Sequence, residues 1–474
     1  MNLGPADLKN FFHPRSIAIV GVPRGDSQFG GHSFLKKIQE SRFQGSLYPI
    51  NPKAGEIRGV KAYPNLTALP ETPDLALVCV AADQVPAVLE ECAQIGLRHI
   101  HILASGFKET GTKGGRELET RLTHIAEENG LLVLGPNCMG SYCPSAGLTA
   151  WGAIPGRSGP LGIIGQSGGI TQRLTEYTYS LGIGAAKAVS FGNAAVLDSL
   201  DFLEFMARDD EIRVIAMYLE SVGDGRRFLR LAREVSREKP IVLWKGGETG
   251  AGAATVASHT GTLAGEQSIW EAFYRQTGVI HVRSLDECVD AILALCLAPA
   301  PQGKGVFLIG GGGGYSVSYS DTCIQEGLDV PLLSETTMAW LGQNVLAAGC
   351  ILGNPLDAWK SFFDAAFLTE LLDLAYNDPA VAMIVVDRLI SRKAFHVPDM
   401  PDPNPETIEF ITERGHPKPT VFTVESEGGD PDLSAKGVEL RARFCRAGIP
   451  AYPSLQRAAR ALVHLHRYHA RFGR

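Results

Sequence analysis

The chain has 474 residues, more than one hydrophobic core usually supports, so several domains are expected. Its composition, 45% hydrophobic and 20% charged, is ordinary for a globular protein, and its net charge of −7 gives no reason to expect nucleic acid as a partner. The nine cysteines are scattered without a C-x-x-C pair, and no segment approaches the roughly 20 apolar residues of a membrane span, so we expect a cytoplasmic protein without disulfides, a metal site or a membrane segment.

The N-terminal part of the chain alternates short apolar runs with amphipathic stretches. Buried parallel strands are predicted over SIAIVGV, SLYPINP, DLALVCVAA, RHIHILAS and LLVLGPN. Helices are predicted among them, over SFLKKIQES, VPAVLEECAQIG and LETRLTHIAEENG. Repeated strand–helix–strand units predict a doubly wound α/β domain over residues 1–145.

The same alternation restarts twice. A second α/β domain is predicted over residues 146–298, with strands in GPLGIIGQSGG, AAKAVSFGN, VIAMYLES, PIVLWKGG and VIHVRS. A Pro-Ala-Pro segment at residues 299–301 indicates a linker. A third α/β domain is predicted over residues 299–474, with strands in GVFLIGGGG, VAMIVVDRL, PTVFTVES and IPAYPS.

The first strand leads into a glycine-rich turn, GVPRGDSQFGGHS, before a helix, and the free amides of such turns accept phosphate. The turn departs from G-x-G-x-x-G, and Lys53 stands where an NAD site places a carboxylate for the ribose. A phosphate-rich ligand is therefore favoured over NAD; the alternative is a turn that only packs the helix against the strand. Ser105 and Asn137 follow the fourth and fifth strands at the same sheet edge, where they either bind a ligand or cap local structure.

The second domain offers an anion site and a candidate nucleophile. The turn Gln166–Gly169 in IIGQSGGI opens a helix, which suits an anion, although G-Q-S-G-G also matches the G-x-S-x-G pattern of serine hydrolases. His259, in VASHTGTLAG, is predicted in a glycine-rich turn before a helix, as a satisfied loop residue, a general base or a nucleophile that carries a group. If Glu220, at the end of VIAMYLES, meets these strand ends, the three make a phosphohistidine site.

Nine segments, taken in chain order, resemble those of the ADP-forming acyl-CoA synthetases, in the acetyl-CoA synthetase and succinyl-CoA synthetase-like superfamily. They are SIAIVGV, YPINPK, SGFKETG, GPNCMG, IGQSGG, SFGNAAVLD, YLES, SHTGTLAG and GNPLD. The resemblance covers essentially the whole chain. It implies an α/β fold in which an N-terminal Rossmann-like CoA-binding domain is followed by two flavodoxin-like, doubly wound domains of the succinyl-CoA synthetase type.

The resemblance implies an acid–thiol ligase that interconverts acid, CoA and ATP with acyl-CoA, ADP and phosphate, through an acyl phosphate and a phosphohistidine. It implies that His259 carries the phosphoryl group and that Glu220 steadies its imidazole. The phosphate-binding residues that it implies are Gln166, Ser167, Gly168 and Gly169. The CoA-binding residues that it implies are Gly21, Ser27, Gly30, Gly31, Asn51, Lys53, Ala81, Ser105, Gly106, Phe107 and Asn137.

The resemblance also implies a partner, because the ATP-grasp module of the family is absent from these three domains. ATP or ADP with Mg²⁺ is expected on a separate β-type subunit, in an α₂β₂ assembly, or with this chain as a homodimer. Two segments depart from relatives: KGGETGAGAATVASHTG lacks their basic residues, and IGGGGGYSVS replaces Asn-Gly-Gly-Gly-Pro-Gly. Two alternatives stay open, a non-catalytic module that binds CoA or acyl-CoA and an acyl or carbamoyl transferase with another acceptor. The small carboxylic acid is not predicted.

Overall fold

The computed structural model describes residues 5–53, 55–149, 151, 157–260, 265–310, 312–345, 349–390, 402–426 and 429–473, with the backbone alone at 5–6, 149, 257–260, 359 and 389. The chain forms two compact units. The first contains Met1–Tyr179 and Gly184–Arg283, and the second contains Ser180–Ile183 and Ser284–Arg474. The three domains with boundaries at residues 145 and 298 stay a prediction.

The first sheet of the first unit is parallel and contains the strands predicted from the N-terminal apolar runs. Its region comprises β1 (Ser16–Val20), β2 (Ser46–Ile50), β3 (Glu56–Ile57), β4 (Val60–Lys61), β5 (Leu75–Val78), β6 (His99–Ile102) and β7 (Leu132–Leu134), with α1 (Lys9–Phe12), α2 (Gly31–Glu40), α3 (Val85–Gln94) and α4 (Lys113–Asn129). The five-stranded order is β2-β1-β5-β6-β7, and β3 and β4 form a separate hairpin. Strands β1, β5 and β7 are buried along their whole length, as parallel strands covered on both faces are.

The second sheet of the first unit has seven strands. Its elements are β8 (Gly140–Cys143), β9 (Leu148–Thr149), β10 (Leu161–Gly165), β11 (Ala185–Ser190), β12 (Val214–Leu219), β13 (Ile241–Lys245) and β14 (Ile280–Val282), with α5 (Gly168–Ser180), α6 (Ser199–Ala207), α7 (Gly225–Val235), α8 (Gly250–Thr260) and α9 (Gln267–Thr277). The order is β14-β13-β12-β10-β11-β8-β9, in which β10 to β14 are parallel and β8 runs antiparallel to β11. The sequence did not predict β8 and β9, which extend this sheet with residues that directly follow β7.

The second unit contains a parallel sheet of four strands, all of them predicted from apolar runs. Its elements are β15 (Val306–Ile309), β16 (Met383–Ile390), β17 (Thr420–Ser426) and β18 (Ala451–Tyr452), with α10 (Leu285–Leu297), α11 (Gly312–Glu326), α12 (Glu335–Asn344), α13 (Ala365–Asn377), α14 (Asn404–Glu413), α15 (Pro431–Arg446) and α16 (Leu455–Phe472). The strand order is β15-β16-β17-β18. Across the described ranges of both units, no helix has the length and apolar character needed to cross a membrane.

Candidate functional site

The carboxyl ends of the two sheets meet within the first unit. Residues 135–139 connect β7 of the first sheet directly to β8 of the second. The backbone amide of Asn193, just beyond β11, donates to the backbone carbonyl of Pro136 (3.0 Å). The backbone amide of Phe191 donates to the carbonyl of Gly165 at the end of β10 (3.0 Å). Because open α/β sheets bind ligands at the carboxyl ends of their strands, one continuous edge carries the candidate residues of both sheets.

The first glycine-rich turn is closely packed at both ends and open in between. Gly21 has φ +87°, and a Cβ there would lie 2.8 Å from Cγ1 of Val80. A Cβ on Gly31, the first residue of α2, would lie 2.7 Å from the carbonyl oxygen of Gly21. At Gly30 nothing lies within 4 Å of where a Cβ would be. Packing therefore requires glycine at positions 21 and 31, whereas position 30 leaves free space beside the helix N-terminus.

Asn51 joins the turn after β2 to the turn after β1. Its Nδ2 donates to the carbonyl of Val22 (2.7 Å), and its Oδ1 accepts from the amide of Lys53 (2.8 Å). Lys53 itself is exposed. The hydroxyl of Ser27 donates to a backbone carbonyl two residues later (2.7 Å), and Ala81 lies in extended conformation after β5. The structure thus brings Asn51 to the first turn and leaves the Lys53 ammonium available to a phosphate.

The turn Ser105–Phe107, after β6, is held by Glu109. Oε1 of Glu109 accepts from the amides of the last two residues of the turn, at 2.6 and 3.1 Å. Although burial raises the pKa of Glu109, these bonds and one from Asn193 bring it below the usual value of a glutamate. Asn137, after β7, has φ +58°, a left-handed conformation that asparagine tolerates, and its amide donates to the carbonyl of Ala104 (2.9 Å). Asn137 therefore lies beside this turn, as a shared ligand site requires.

The second glycine-rich turn presents free amides at the start of α5. The first carbonyl that accepts a helical bond is that of Ser167, so the amides of Gly168 and Gly169 have no acceptor within the helix. Nothing lies within 4 Å of where a Cβ on Gly169 would be. A Cβ on Gly168 would lie 2.6 Å from Cγ of Met139, in the segment that connects the two sheets. This helix N-terminus suits an anion and packs directly against the edge of the first sheet.

The buried side chain of Gln166 is turned towards the end of β12. Its Oε1 accepts from the amides of Glu220 (2.9 Å) and Ser221 (3.2 Å), and its backbone amide donates to the carbonyl of Tyr218 (2.9 Å). Its Nε2 lies 3.5 Å from the hydroxyl of Ser221. Gln166 therefore positions the residues after β12, and Nε2 is the group that it can still offer to a phosphate.

Glu220, at the end of β12, is 5% exposed, and its Oε1 accepts from the hydroxyl of Tyr218 (3.3 Å). Burial and the charge of Glu220 raise the pKa of Tyr218, so the hydroxyl keeps its proton and remains a donor. Lys245 ends the neighbouring strand β13, and burial lowers the pKa of its ammonium, which lies 5.2 Å from the centroid of the Trp270 ring. Tyr218 and Lys245 were not predicted, although polar residues at the carboxyl ends of apolar strands are a signal for them.

The expectation that His259 lies in a glycine-rich turn before a helix is wrong. The backbone at residue 259 belongs to the last turn of α8. Alanine, the strongest helix former, occurs four times over residues 251–257, which explains why this stretch is helical. The side chain of His259 lies outside the described part of the chain, so its approach to Glu220 stays a prediction.

The segment that lacks the basic residues of relatives carries Glu248 just before α8. Oε1 of Glu248 lies 2.7 Å from Nε2 of His281 on β14, and the ring of Tyr274 stacks on His281 with centroids 4.4 Å apart. Lys245, at the end of β13, donates to the carbonyl of Gly246 in the same segment. A carboxylate paired with an imidazole therefore lies just before the start of α8, and Lys245 supplies a cation a few residues earlier in the chain.

Two family models match the chain. The model of a CoA binding domain matches residues 15–144, and that of a succinyl-CoA ligase like flavodoxin domain matches residues 158–295. The α subunit of the ADP-forming acetate–CoA ligase I of Pyrococcus furiosus is 35% identical over 470 residues, which are 97% of each chain. The chain belongs to the family of ADP-forming acetate–CoA ligases.

Further ligases of this family are also similar to this chain. The solved acetyl-coenzyme A synthetase 1 of Ca. Korarchaeum cryptofilum, described as dinucleotide-forming and in complex with phosphate and ADP, matches with a TM-score of 0.86 and 31% identity, over 98% of this chain and 97% of that one. The ADP-forming acetate–CoA ligase I of Archaeoglobus fulgidus is 35% identical over 74% of this chain and 50% of that protein. The resemblance and the fold class predicted from the sequence are confirmed; the roles of single site residues stay predictions.

Proposed function

We propose that the chain is the α-type subunit of an ADP-forming acyl-CoA synthetase, which interconverts a small carboxylic acid, CoA and ATP with acyl-CoA, ADP and phosphate. The observation that carries the proposal is the shared sheet edge of the first unit. The turn beside Asn137, the open amides of Gly168 and Gly169, and Glu220 all follow strands whose carboxyl ends meet there. The α-subunit name of the Pyrococcus relative and the phosphate and ADP in the Korarchaeum structure support it.

The chemistry uses this edge in two steps. A phosphate oxygen attacks the thioester carbonyl, the C–S bond breaks, and CoA leaves as a thiolate that takes up a proton. A ring nitrogen of His259 then attacks phosphorus, the acyl carboxylate leaves, and the phosphoryl group passes from the histidine to ADP. The amides of Gly168 and Gly169 stabilise the phosphoryl charge, and Glu220 accepts from the other ring nitrogen, so that one nitrogen is free to attack.

The first glycine-rich turn fits the pyrophosphate and the additional phosphate of CoA. The space at Gly30 lets a phosphate approach the N-terminus of α2, and the exposed Lys53 supplies a positive charge beyond it. Asn51 fixes both turns relative to each other through Val22. We assign Gly21 and Gly31 to the packing that shapes this cradle rather than to contacts with CoA.

We assign the nucleotide, with Mg²⁺, to a separate ATP-grasp subunit of β type, in an α₂β₂ assembly in the cytoplasm. The chain covers 97% of the relative named an α subunit but 50% of the Archaeoglobus protein, which has room for such a module in the same polypeptide. We assign residues 1–145 to the CoA-binding domain and 146–298 to the phosphohistidine domain, since the two family models match residues 15–144 and 158–295, and we assign residues 299–474 to the third domain.

Intact-protein mass spectrometry under alkaline conditions tests the proposal. The purified chain is incubated with phosphate and a panel of acyl-CoAs, beside His259→Ala and Ser167→Ala. A phosphate-sized gain that is lost in His259→Ala supports the phosphohistidine, and the most effective acyl-CoA identifies the class of acid. No gain with any thioester, while CoA still binds, would overturn the synthetase proposal in favour of a CoA-binding module. An acyl adduct lost in Ser167→Ala would indicate a serine nucleophile instead.

A further inference from the structure

A partly buried cluster of polar side chains joins the turn after β6 to the loop after β11. We call it the Asn193 cluster; its members are Lys108, Glu109, Glu119, Asn137 and Asn193. Nδ2 of Asn193 donates to Oε2 of Glu109 (2.6 Å) and to Oε2 of Glu119 (2.9 Å). Nζ of Lys108 lies 2.8 Å from Oε1 of Glu119 and donates to the carbonyl of Asn193 (2.7 Å). Asn193 is 5% exposed and Glu119 is 7% exposed, so these bonds are sheltered from water.

Each side of the cluster reaches a part of the proposed CoA site. The other carboxylate oxygen of Glu109 accepts from the amides of Gly106 and Phe107, so the bond from Asn193 fixes the carboxylate that holds this turn. Oδ1 of Asn193 accepts from Nδ2 of Asn137 (3.4 Å), on the other side of the same site. From a loop of the second sheet, Asn193 therefore contacts Asn137 directly and reaches the Ser105–Phe107 turn through Glu109.

The negative charges of the cluster require a hydrogen-bond donor at position 193, which the side-chain amide of Asn193 supplies. The ammonium of Lys108 pairs with Glu119, and the side-chain amide hydrogens of Asn193 lie between Glu119 and the second carboxylate, that of Glu109. Hydrogen bonds to charged groups are stronger than neutral ones, and a charge brought close to two like charges in a buried place is strongly disfavoured. An aspartate at position 193 keeps the size of the side chain, but it repels the two carboxylates to which the asparagine donates hydrogen bonds.

We propose that Asn193 is a positioning residue for CoA: it fixes Glu109, and through Glu109 it holds the Ser105–Phe107 turn in its binding conformation. This inference rests on the proposed function, because it takes the turn to be part of the CoA site. A turn that is already ordered loses less conformational freedom when its ligand binds, so affinity for CoA depends on the cluster. The loop after β11 belongs to the second sheet, in which β11 lies beside β10, the strand that leads into the phosphate turn. The second sheet therefore determines how well ordered the CoA site is.

Calorimetric titration with CoA tests the proposal on the full chain, using Asn193→Asp, Glu109→Gln and the double variant. In Asn193→Asp the new carboxylate repels Glu109 and Glu119, and in Glu109→Gln the new amide faces the amide of Asn193. Each single variant is expected to bind CoA about 10-fold or more weakly, since each loses a charge-assisted bond. In the double variant the new amide at position 109 donates to the new carboxylate at position 193, and its oxygen still accepts from the turn. Glu119 still faces the carboxylate at position 193, so affinity should recover in part, to a value above that of Asn193→Asp but below that of the wild type.

Asn129→Asp is the matched control, because Asn129 lies at the end of the same helix as Glu119 and its Nδ2 donates to the carbonyl of Ile125 (2.8 Å), outside the Asn193 cluster. It should bind CoA as the wild type does. Wild-type affinity in Asn193→Asp, or weak binding in all three variants without rescue in the double variant, would overturn the positioning role and leave the proposed function intact. A wild-type chain that binds no CoA would overturn both. If Asn193→Asp fails to fold, Glu109→Gln decides, and wild-type affinity in that variant would overturn the positioning role.

Discussion

The buried side chain of Gln166 determines how firmly the end of β12 is held, and Gln166→Leu tests this. Leucine keeps most of the volume but removes the oxygen that accepts from the amides of Glu220 (2.9 Å) and Ser221 (3.2 Å). A buried amide left without an acceptor costs about 1–3 kcal/mol. Glu220 is 5% exposed, so its amide bears that full cost, whereas Ser221 is half-buried and only the cost at Glu220 is counted. We expect the free energy of unfolding of the first unit to fall by about 1–3 kcal/mol.

Urea unfolding followed by tryptophan fluorescence measures this loss, because the Trp244 ring contacts Tyr218 edge-on, with centroids 5.1 Å apart, at the end of the same strand as Glu220. Gln172→Leu is the matched control, because Nε2 of Gln172 donates to the exposed carboxylate of Glu176 on the same helix (2.8 Å), so this variant should retain the stability. Gln166→Glu keeps an acceptor oxygen but adds a buried carboxylate near Glu220 and the phosphate turn, so it should lose phosphorylation. If Gln166→Leu unfolds within about 0.5 kcal/mol of the wild type, Gln166 does not hold the strand end as argued.

Two further predictions concern the first sheet. Gly21→Ala and Gly30→Ala both place a side chain at positive φ, which costs roughly 1–2 kcal/mol, but only the Cβ at position 21 also meets Val80 at 2.8 Å. Gly21→Ala should therefore lower the melting temperature more than Gly30→Ala, and equal shifts by scanning fluorimetry would contradict the packing argument. Burial lowers the pKa of His101 from 6.5 to about 4, so its imidazole is neutral in the folded protein. The contribution of this neutral imidazole to the free energy of unfolding is present above pH 6.5. It is lost as pH falls towards 4, by about 1.4 kcal/mol per pH unit. His101→Gln should flatten the pH dependence of urea unfolding in that window; an unchanged slope would refute this.

The parallel strands could be predicted because a strand buried on both faces is a continuous apolar run. Such runs precede each glycine-rich turn, and β1 and β10 end directly before Gly21 and Gln166. The pair β8 and β9 could not be predicted in this way. Gly140–Cys143 is short and of mixed polarity, and it becomes a strand because it pairs with β11, which follows far along the chain.

The candidate site was predictable as a set of turns but not as a set of contacts. The motif around Gln166 indicated an anion site, yet the side chain of Gln166 serves the backbone after β12, more than fifty residues away. Asn193 lies within a segment that supported the resemblance, SFGNAAVLD, but its role depends on Glu109 and Glu119, which belong to the first sheet's loops and helix. Spacing along the chain carries no information about such long-range partners, whereas the carboxyl ends of predicted strands indicate which turns lie at the same sheet edge.

The first of the two proposed steps, the attack of phosphate on the thioester, depends on close packing within the first unit. Attack of phosphate on a thioester requires both reactants within van der Waals distance and aligned, and even a small misplacement is costly. Residues 135–139 form a short connection between β7 and β8, and a Cβ on Gly168 would lie 2.6 Å from Met139 in that segment, so the phosphate turn and the edge that carries Asn137 cannot separate without breaking contacts. The geometry for the proposed phosphorolysis is therefore built into the joined sheets of the first unit.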